Sequence, residues 1–278
     1  MRSYSKFNTI CILIAGFFVL ATAYVWRGAF RNVQDVGNVV DVQIVTYKDI
    51  RDDKKEEDNN RTIEQCNNEE CNNAEENSTE VVVSDDNNPL PKKINLDVPF
   101  TSQAPEKNWD QPWQDACEEA AVLMLDAYYK EYSLSPLFAR DEILKMVEWE
   151  ESSLREWERS IEIEKVEELT SWQMGSSYNF SIVEDPTIEQ IKQFVANGNP
   201  VYVVAYGKDL PNPHFQNGGP EYHALIIRGY TEDSFITNDP GTQFGENFLY
   251  KYDDLMNAVH DWNGGDVENG RQVVLVLE

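Results

Sequence analysis

From Ile94 onward two apolar periodicities follow one another, and their order limits the fold more than any single motif does. INLDVPF (94–100) alternates like a short strand, and a Trp-rich loop follows. CEEAAVLMLDAYYKEY (117–132) then repeats apolar side chains at helical spacing. Arg140 to Trp172 is rich in Glu, Leu, Ile and Trp without Gly or Pro, and reads as one or two acidic amphipathic helices. Thr187 to Asn197, opened by Asp185-Pro186-Thr187 and closed by Asn197-Gly198, has the start and stop signals of a capped helix. After Pro200 the runs VYVVAY, YHALIIRGY, SFITND, NFLYKY and QVVLVLE are rich in Val, Ile, Tyr and Phe and are separated by Gly, Asn and Pro. Helices followed by an antiparallel sheet predict an α+β domain over residues 94–278, a helical lobe packed on the sheet.

Composition supports one folded unit of this kind and removes several functions. Hydrophobic residues are 41% and aromatics 12%, enough for a core, so a wholly disordered chain is excluded. With 23 Lys+Arg against 50 Asp+Glu the formal charge is -27, which repels nucleic-acid phosphates and anionic headgroups. Most of that charge lies beyond residue 93, on the folded part. Four cysteines are too few for a disulfide scaffold, and no pair has zinc-finger spacing.

The first 93 residues have a different character. Residues 9–26, TICILIAGFFVLATAYVW, carry no charge and are about the minimum length that crosses a bilayer as a helix. Residues 1–8, with Arg2 and Lys6, form a short basic tail expected in the cytoplasm. Ala21-Thr22-Ala23 offers small residues for signal cleavage, but the apolar run continues to Trp26, which favours an uncleaved anchor. Residues 27–93 are expected to be a linker. From Asp49 to Lys93 it collapses into Asn, Asp, Glu and Lys, the composition of a disordered acidic tether. Cys66 and Cys71 within it could close a small disulfide loop outside the cytoplasm.

Cys117 stands at the start of a predicted helix, where unpaired N–H groups and the helix dipole favour a thiolate; a free Cys is otherwise a small buried hydrophobe. The chain has three histidines, His214, His223 and His260. His223 lies in the run YHALIIRGY, where a sheet would hold the imidazole still. The next strand ends in Asn238-Asp239-Pro240-Gly241, and an acid or amide there could reach the imidazole's far nitrogen. Cys at a helix start, His on a strand and Asp or Asn on the neighbouring strand form the arrangement of papain-like hydrolases. Glu118 and Glu119 read as first-turn helix capping, although they would oppose a thiolate and could instead receive a basic substrate. Trp109 and Trp113 either line an apolar subsite or cover the helix start. His214 is a candidate for a substrate loop, and His260 reads as structural.

VPFTSQAP, CEEAAVLML, GNPVYVVAYG, GGPEYHALIIRGY and FITNDPGTQFGENFLY together resemble the peptidase thirty-nine-like cysteine peptidases, relatives of transporter domains that clip leader peptides after a double glycine. The resemblance covers about residues 95–262. It implies a papain-like fold with Cys117 as nucleophile, His223 as base and Asp239 as orienting partner. Such a site also needs an oxyanion donor, usually an upstream Gln with the nucleophile's own N–H. Gln103 stands where the broader family places it and sits on the strand-like VPFTS run; Gln111 and Gln114 are the alternatives.

The expected protein is therefore a membrane-tethered extracytoplasmic cysteine peptidase or amide hydrolase. It would be single-pass in the cell membrane, or secreted if the segment is cleaved. It needs no metal or organic cofactor, acts on peptide or protein, avoids nucleic acid and is monomeric. Acyl transfer would use the same residues. A catalytically silent domain binding peptide or cell-wall polymer is the alternative. No GxxxxGK[ST] motif occurs, so the chain is not a full ATP-driven exporter.

Overall fold

Every residue of the helix that begins at Cys117 is buried, and the rest of the fold is arranged around it. This helix, α1 (Cys117–Tyr129), is covered on all sides, acidic residues included. Helical spacing alone does not separate such a central helix from an amphipathic surface one. The computed structural model describes residues 44–45, 89–153 and 159–277, all within one compact unit spanning Val42–Glu278.

Two further helices cover α1. The stretch read from Arg140 to Trp172 forms α2 (Pro136–Ser153) and α3 (Ile163–Met174). α2 starts earlier than its sequence pattern because Pro136 occupies the first turn, where a missing N–H removes no helical bond. Ser135 Oγ accepts the Phe138 N–H at 3.3 Å there. The capped helix is found as α4 (Ile188–Ala196), with a reciprocal Thr187–Gln190 capping box and Gly198 at φ 89° closing it.

Among the described residues the sheet has eight strands: β1 (Ile44–Val45), β2 (Ile94–Leu96), β3 (Phe180–Glu184), β4 (Val201–Ala205), β5 (His223–Tyr230), β6 (Ser234–Asn238), β7 (Phe248–Lys251) and β8 (Val273–Leu277). The order is β1-β2-β5-β4-β8-β3, with β6 joining β5 to β7. All pairings are antiparallel except β1 with β2. The α+β expectation thus holds, with three departures. β3 has no clear strand signal, because four of its five residues are half-buried or exposed along the sheet edge. The run NFLYKY ends as a strand at Lys251, and Tyr252 opens a short helix, α5 (Tyr252–Ala258). Ile44–Val45, inside the stretch read as linker, pairs with β2; the tether composition begins only at Asp49, after the β-branched segment that supplies this strand.

One buried cation ties β2 and the segment after it to the end of β6. β5 has a bulge between Ile227 and Gly229, and Arg228 sits in it, buried. Its guanidinium donates to the Leu96 carbonyl (2.6 and 2.9 Å), the Val98 carbonyl (2.9 Å), Asn95 Oδ1 (2.9 Å) and Asn238 Oδ1 (3.1 Å). Gly229 is required beside it, since a Cβ there would lie 2.4 Å from the Ile94 carbonyl.

Among the described residues no helix is long and apolar enough to cross a membrane. The 9–26 run, the cleavage motif and Cys66 and Cys71 lie outside them.

Candidate active site

α1 packs against β5, which brings its first residue, Cys117, to the beginning of that strand. Cys117 is buried, yet it borders a cleft of about 710 Å³. Its thiol donates to Glu118 Oε2 at 2.9 Å. Burial first, then the Glu118 carboxyl, push the thiol well above its ordinary value, while the amide of Ala224 pulls the other way. The expected thiolate-favouring helix start is therefore overruled. A helix dipole contributes at most about 2 kcal/mol in partly buried geometries, whereas full burial shifts a group by up to roughly 3–5 pKa units. Glu118 and Glu119, read from the sequence as first-turn capping residues, are themselves buried. Burial, with Glu119 next in effect, pushes Glu118 up to about 8.

His223 opens β5, and Asp239 directly follows β6. The Ile226–Asn238 register brings them side by side. His223 Nε2 lies 2.7 Å from Asp239 Oδ1, both side chains being buried. Nε2 is thereby engaged, which leaves Nδ1 as the nitrogen that can exchange a proton in the cleft. Asp239 Oδ1 also accepts the Gly241 N–H at 2.9 Å, and Oδ2 accepts Tyr250 Oη at 2.6 Å and Asn212 Nδ2 at 3.0 Å. Burial alone would raise this carboxyl; His223, Tyr250 and the Gly241 amide together hold it below the usual carboxylate range. The imidazole is confined further by Phe215, packed edge-on with ring centres 5.2 Å apart.

The segment carrying Gln103 is strapped to the same turn. Asn238 Nδ2 donates to the Val98 carbonyl at 3.0 Å, Ser102 Oγ to the Pro240 carbonyl at 3.1 Å, and Gln103 N to that carbonyl at 2.9 Å. Gln103 is buried and borders the cleft. Its amide nitrogen donates to the carbonyls of Trp113 (3.0 Å) and Gln114 (2.8 Å), so both of its protons are held by the turn before Cys117. Its Oε1 is buried without a partner. Gln111 is exposed and donates to Asp115, and Gln114 borders the cleft.

The cleft wall mixes aromatic rings with polar side chains. Trp109, Phe215 and Phe244 line it, and His214 lies against the exposed Phe244 ring, centres 4.8 Å apart. Trp113 instead packs against the core. Arg159 and Lys208 at the rim are matched by Asp115 (3.7 Å) and Glu221 (3.4 Å). His260 is structural, its Nδ1 lying 2.9 Å from the Gly270 carbonyl. Among the described residues no group of three or more His, Cys, Asp or Glu converges to hold a metal ion. Sequence reasoning missed Asn212, Tyr250 and Arg228. An Arg inside an otherwise apolar strand is the one usable signal among them; nothing local marks the other two.

The sequence model of the Peptidase C39-like family matches residues 95–264. No curated protein matches. Among solved structures, a candidate C39-like peptidase from Bacillus anthracis is similar at 14% identity, covering 68% of this chain and 98% of its own, with a TM-score of 0.46.

Proposed function

The chain belongs to the Peptidase C39-like family, and from that premise we propose that it is a cysteine peptidase or related amide hydrolase acting through Cys117, His223 and Asp239. The observation that carries this reading is the buried 2.7 Å contact between His223 Nε2 and Asp239 Oδ1, behind a cleft that also opens on Cys117. His223 Nδ1 takes the thiol proton as Sγ attacks the scissile carbonyl. The imidazolium then returns that proton to the leaving amine, and water, deprotonated by the same nitrogen, releases the acyl group and restores the thiol. Asp239 keeps its charge throughout and orients the ring. The Cys117 N–H and the Gln103 amide are the oxyanion donors of this reading, the amide having to release the carbonyl of Trp113 or Gln114. The substrate is peptide or protein.

Its test is turnover of a peptide library by the full chain, read by mass spectrometry. Cys117→Ser and His223→Ala should each abolish cleavage with the fold retained, and the double variant should be little worse than either single. Asp239→Asn should keep measurable activity, because its amide oxygen can still accept from Nε2. Full activity in Cys117→Ser would remove the nucleophile from the scheme.

A silent binding domain is favoured by one observation, that the thiol hydrogen-bonds Glu118 rather than the imidazole. Peptide capture without cleavage, unchanged in Cys117→Ser, would establish that reading instead.

The placement proposed for the domain is outside the cytoplasm, tethered by residues 9–26. The support is the uncharged run after a short basic tail. Protease added to intact cells should release a fragment containing residues 94–278; protection of that fragment would reverse the topology.

A further inference from the structure

Glu118 is a buried carboxyl, touching the nucleophile, that the reaction above does not use. Oε2 receives the Cys117 thiol at 2.9 Å, and Oε1 receives the Ile161 N–H at 3.4 Å from the loop between α2 and α3. Ile161 is held in turn, because Tyr222 Oη donates to its carbonyl at 2.8 Å. Among the described residues, the titratable groups acting on or acted on by Glu118 are Cys117 and Glu119 on α1, Tyr202 on β4 and Tyr222 just before β5. Burial and the neighbouring Glu119 carboxyl favour Glu118 keeping a proton, against the Cys117 thiol and the N–H groups of Glu118 and Ile161, whose hydrogen bonds favour the carboxylate.

We infer that Glu118 is a second catalytic group whose ionisation restrains the nucleophile. As a carboxylate it accepts the Sγ–H and opposes, by charge, formation of a thiolate. As a carboxylic acid it donates its own O–H to sulfur while the thiol proton passes to His223 Nδ1, so that the thiolate is formed facing a donor and not an anion. The inference rests on Cys117 being the nucleophile proposed above. Its sign is unusual: thiols commonly react faster as pH rises, but here the approach to the ionisation of Glu118, pushed up by burial to about 8, holds reactivity back.

The experiment is iodoacetamide labelling of the full chain between about pH 6 and pH 9.5, with the Cys117-containing peptide quantified by mass spectrometry so that Cys11, Cys66 and Cys71 do not contribute. Glu118→Gln is nearly isosteric and keeps an oxygen for the Ile161 amide. The expected result is Cys117 labelling about tenfold faster than wild type above about pH 8, the effect of one pKa unit, and equal to it near pH 6. Superimposable profiles would overturn the inference. A ¹³C titration of the Glu118 carboxyl in the unaltered chain needs no variant: a midpoint above neutrality is expected, and one in the ordinary carboxylate range would overturn it. Failure of the nucleophile assignment reads out elsewhere, as labelling indifferent to His223→Ala together with turnover surviving Cys117→Ser.

Discussion

Tyr250 donates its hydroxyl proton to Asp239 Oδ2 across 2.6 Å, and Asn212 Nδ2 reaches both that oxygen and Tyr250 Oη, each at 3.0 Å. The carboxylate behind His223 is thus held on both oxygens, by four donors from β5, β7, the turn after β6 and the loop after β4. Such an acid can neither rotate nor pick up a proton easily, which is what orienting an imidazole requires.

Tyr250→Phe removes one of these donors. Loss of a hydrogen bond to a buried charge is expected to cost about 1.5–3 kcal/mol in urea denaturation at neutral pH. Asp239 has a lowered folded-state pKa, so the stability it contributes is present above the ordinary carboxylate range and is lost as pH falls through that range toward the depressed value. Removing a donor raises the folded value and narrows this window. Stability measured against pH should therefore show a weaker dependence below about pH 5 in Tyr250→Phe; a slope equal to wild type would show that Tyr250 does not help hold Asp239 ionised.

Gly241 is expected to be as necessary as the acid it follows. A Cβ on it would stand 2.7 Å from His223 Cε1, 2.9 Å from the Phe215 ring and 3.2 Å from Asp239 Oδ1. The imidazole is already held by Asp239 at 2.7 Å and by the edge-on Phe215 ring, so the added methyl presses on a ring whose orientation is fixed by its partners. Gly241→Ala should lower kcat by about tenfold or more, through a displaced imidazole, with a smaller change in KM. Unchanged kcat would mean that the turn relaxes without moving His223.

These relationships mark where sequence reading stops. Cys117, His223 and Asp239 could be picked out because their residue types are few and each lies at the end of a patterned run. Which groups surround them depends on register and layer. Asn212 and Tyr250 meet Asp239 only once β6–β7 pairing and the loop after β4 exist. Likewise, the spacing of CEEAAVLML marks a helix but does not reveal that its acidic positions turn inward, so Glu118 passes for a capping residue. β3 escaped for the opposite reason, as an edge strand half open to water has little apolar pattern to show.

Arg228→Lys should be a severe change although charge is kept. Arg228 spreads its donors over two carbonyls and two Asn side chains, and burial lowers its pKa to about 10. A lysine offers a point charge that cannot span the same set, so carbonyls of the 96–98 segment are left unpaired at about 1–3 kcal/mol each. Thermal melts should show a loss of several degrees, and the loosened strap should lower activity through Gln103 and Asn238. Retention of both would mean that water replaces the guanidinium.

Gln103→Ala separates two roles that the geometry assigns to one side chain. As a clamp, the amide holds the Trp113 and Gln114 carbonyls, and losing two such bonds costs about 1–3 kcal/mol of stability. As an oxyanion donor it must turn one N–H from a carbonyl toward the developing charge, and removing such a donor typically lowers kcat by roughly 10²–10³. The two effects have different signatures: a loosened clamp disorders the approach to Cys117 and raises KM along with the stability loss, whereas a missing donor acts on kcat with KM nearly unchanged. Both are expected, because the strained choice between carbonyl and oxyanion is resolved only when substrate brings the stronger acceptor. Denaturation and steady-state kinetics on the same preparation check this. A stability loss with kcat intact would leave Gln103 as a clamp alone and pass the oxyanion role to Gln114, the other glutamine from the run before Cys117 that borders the cleft.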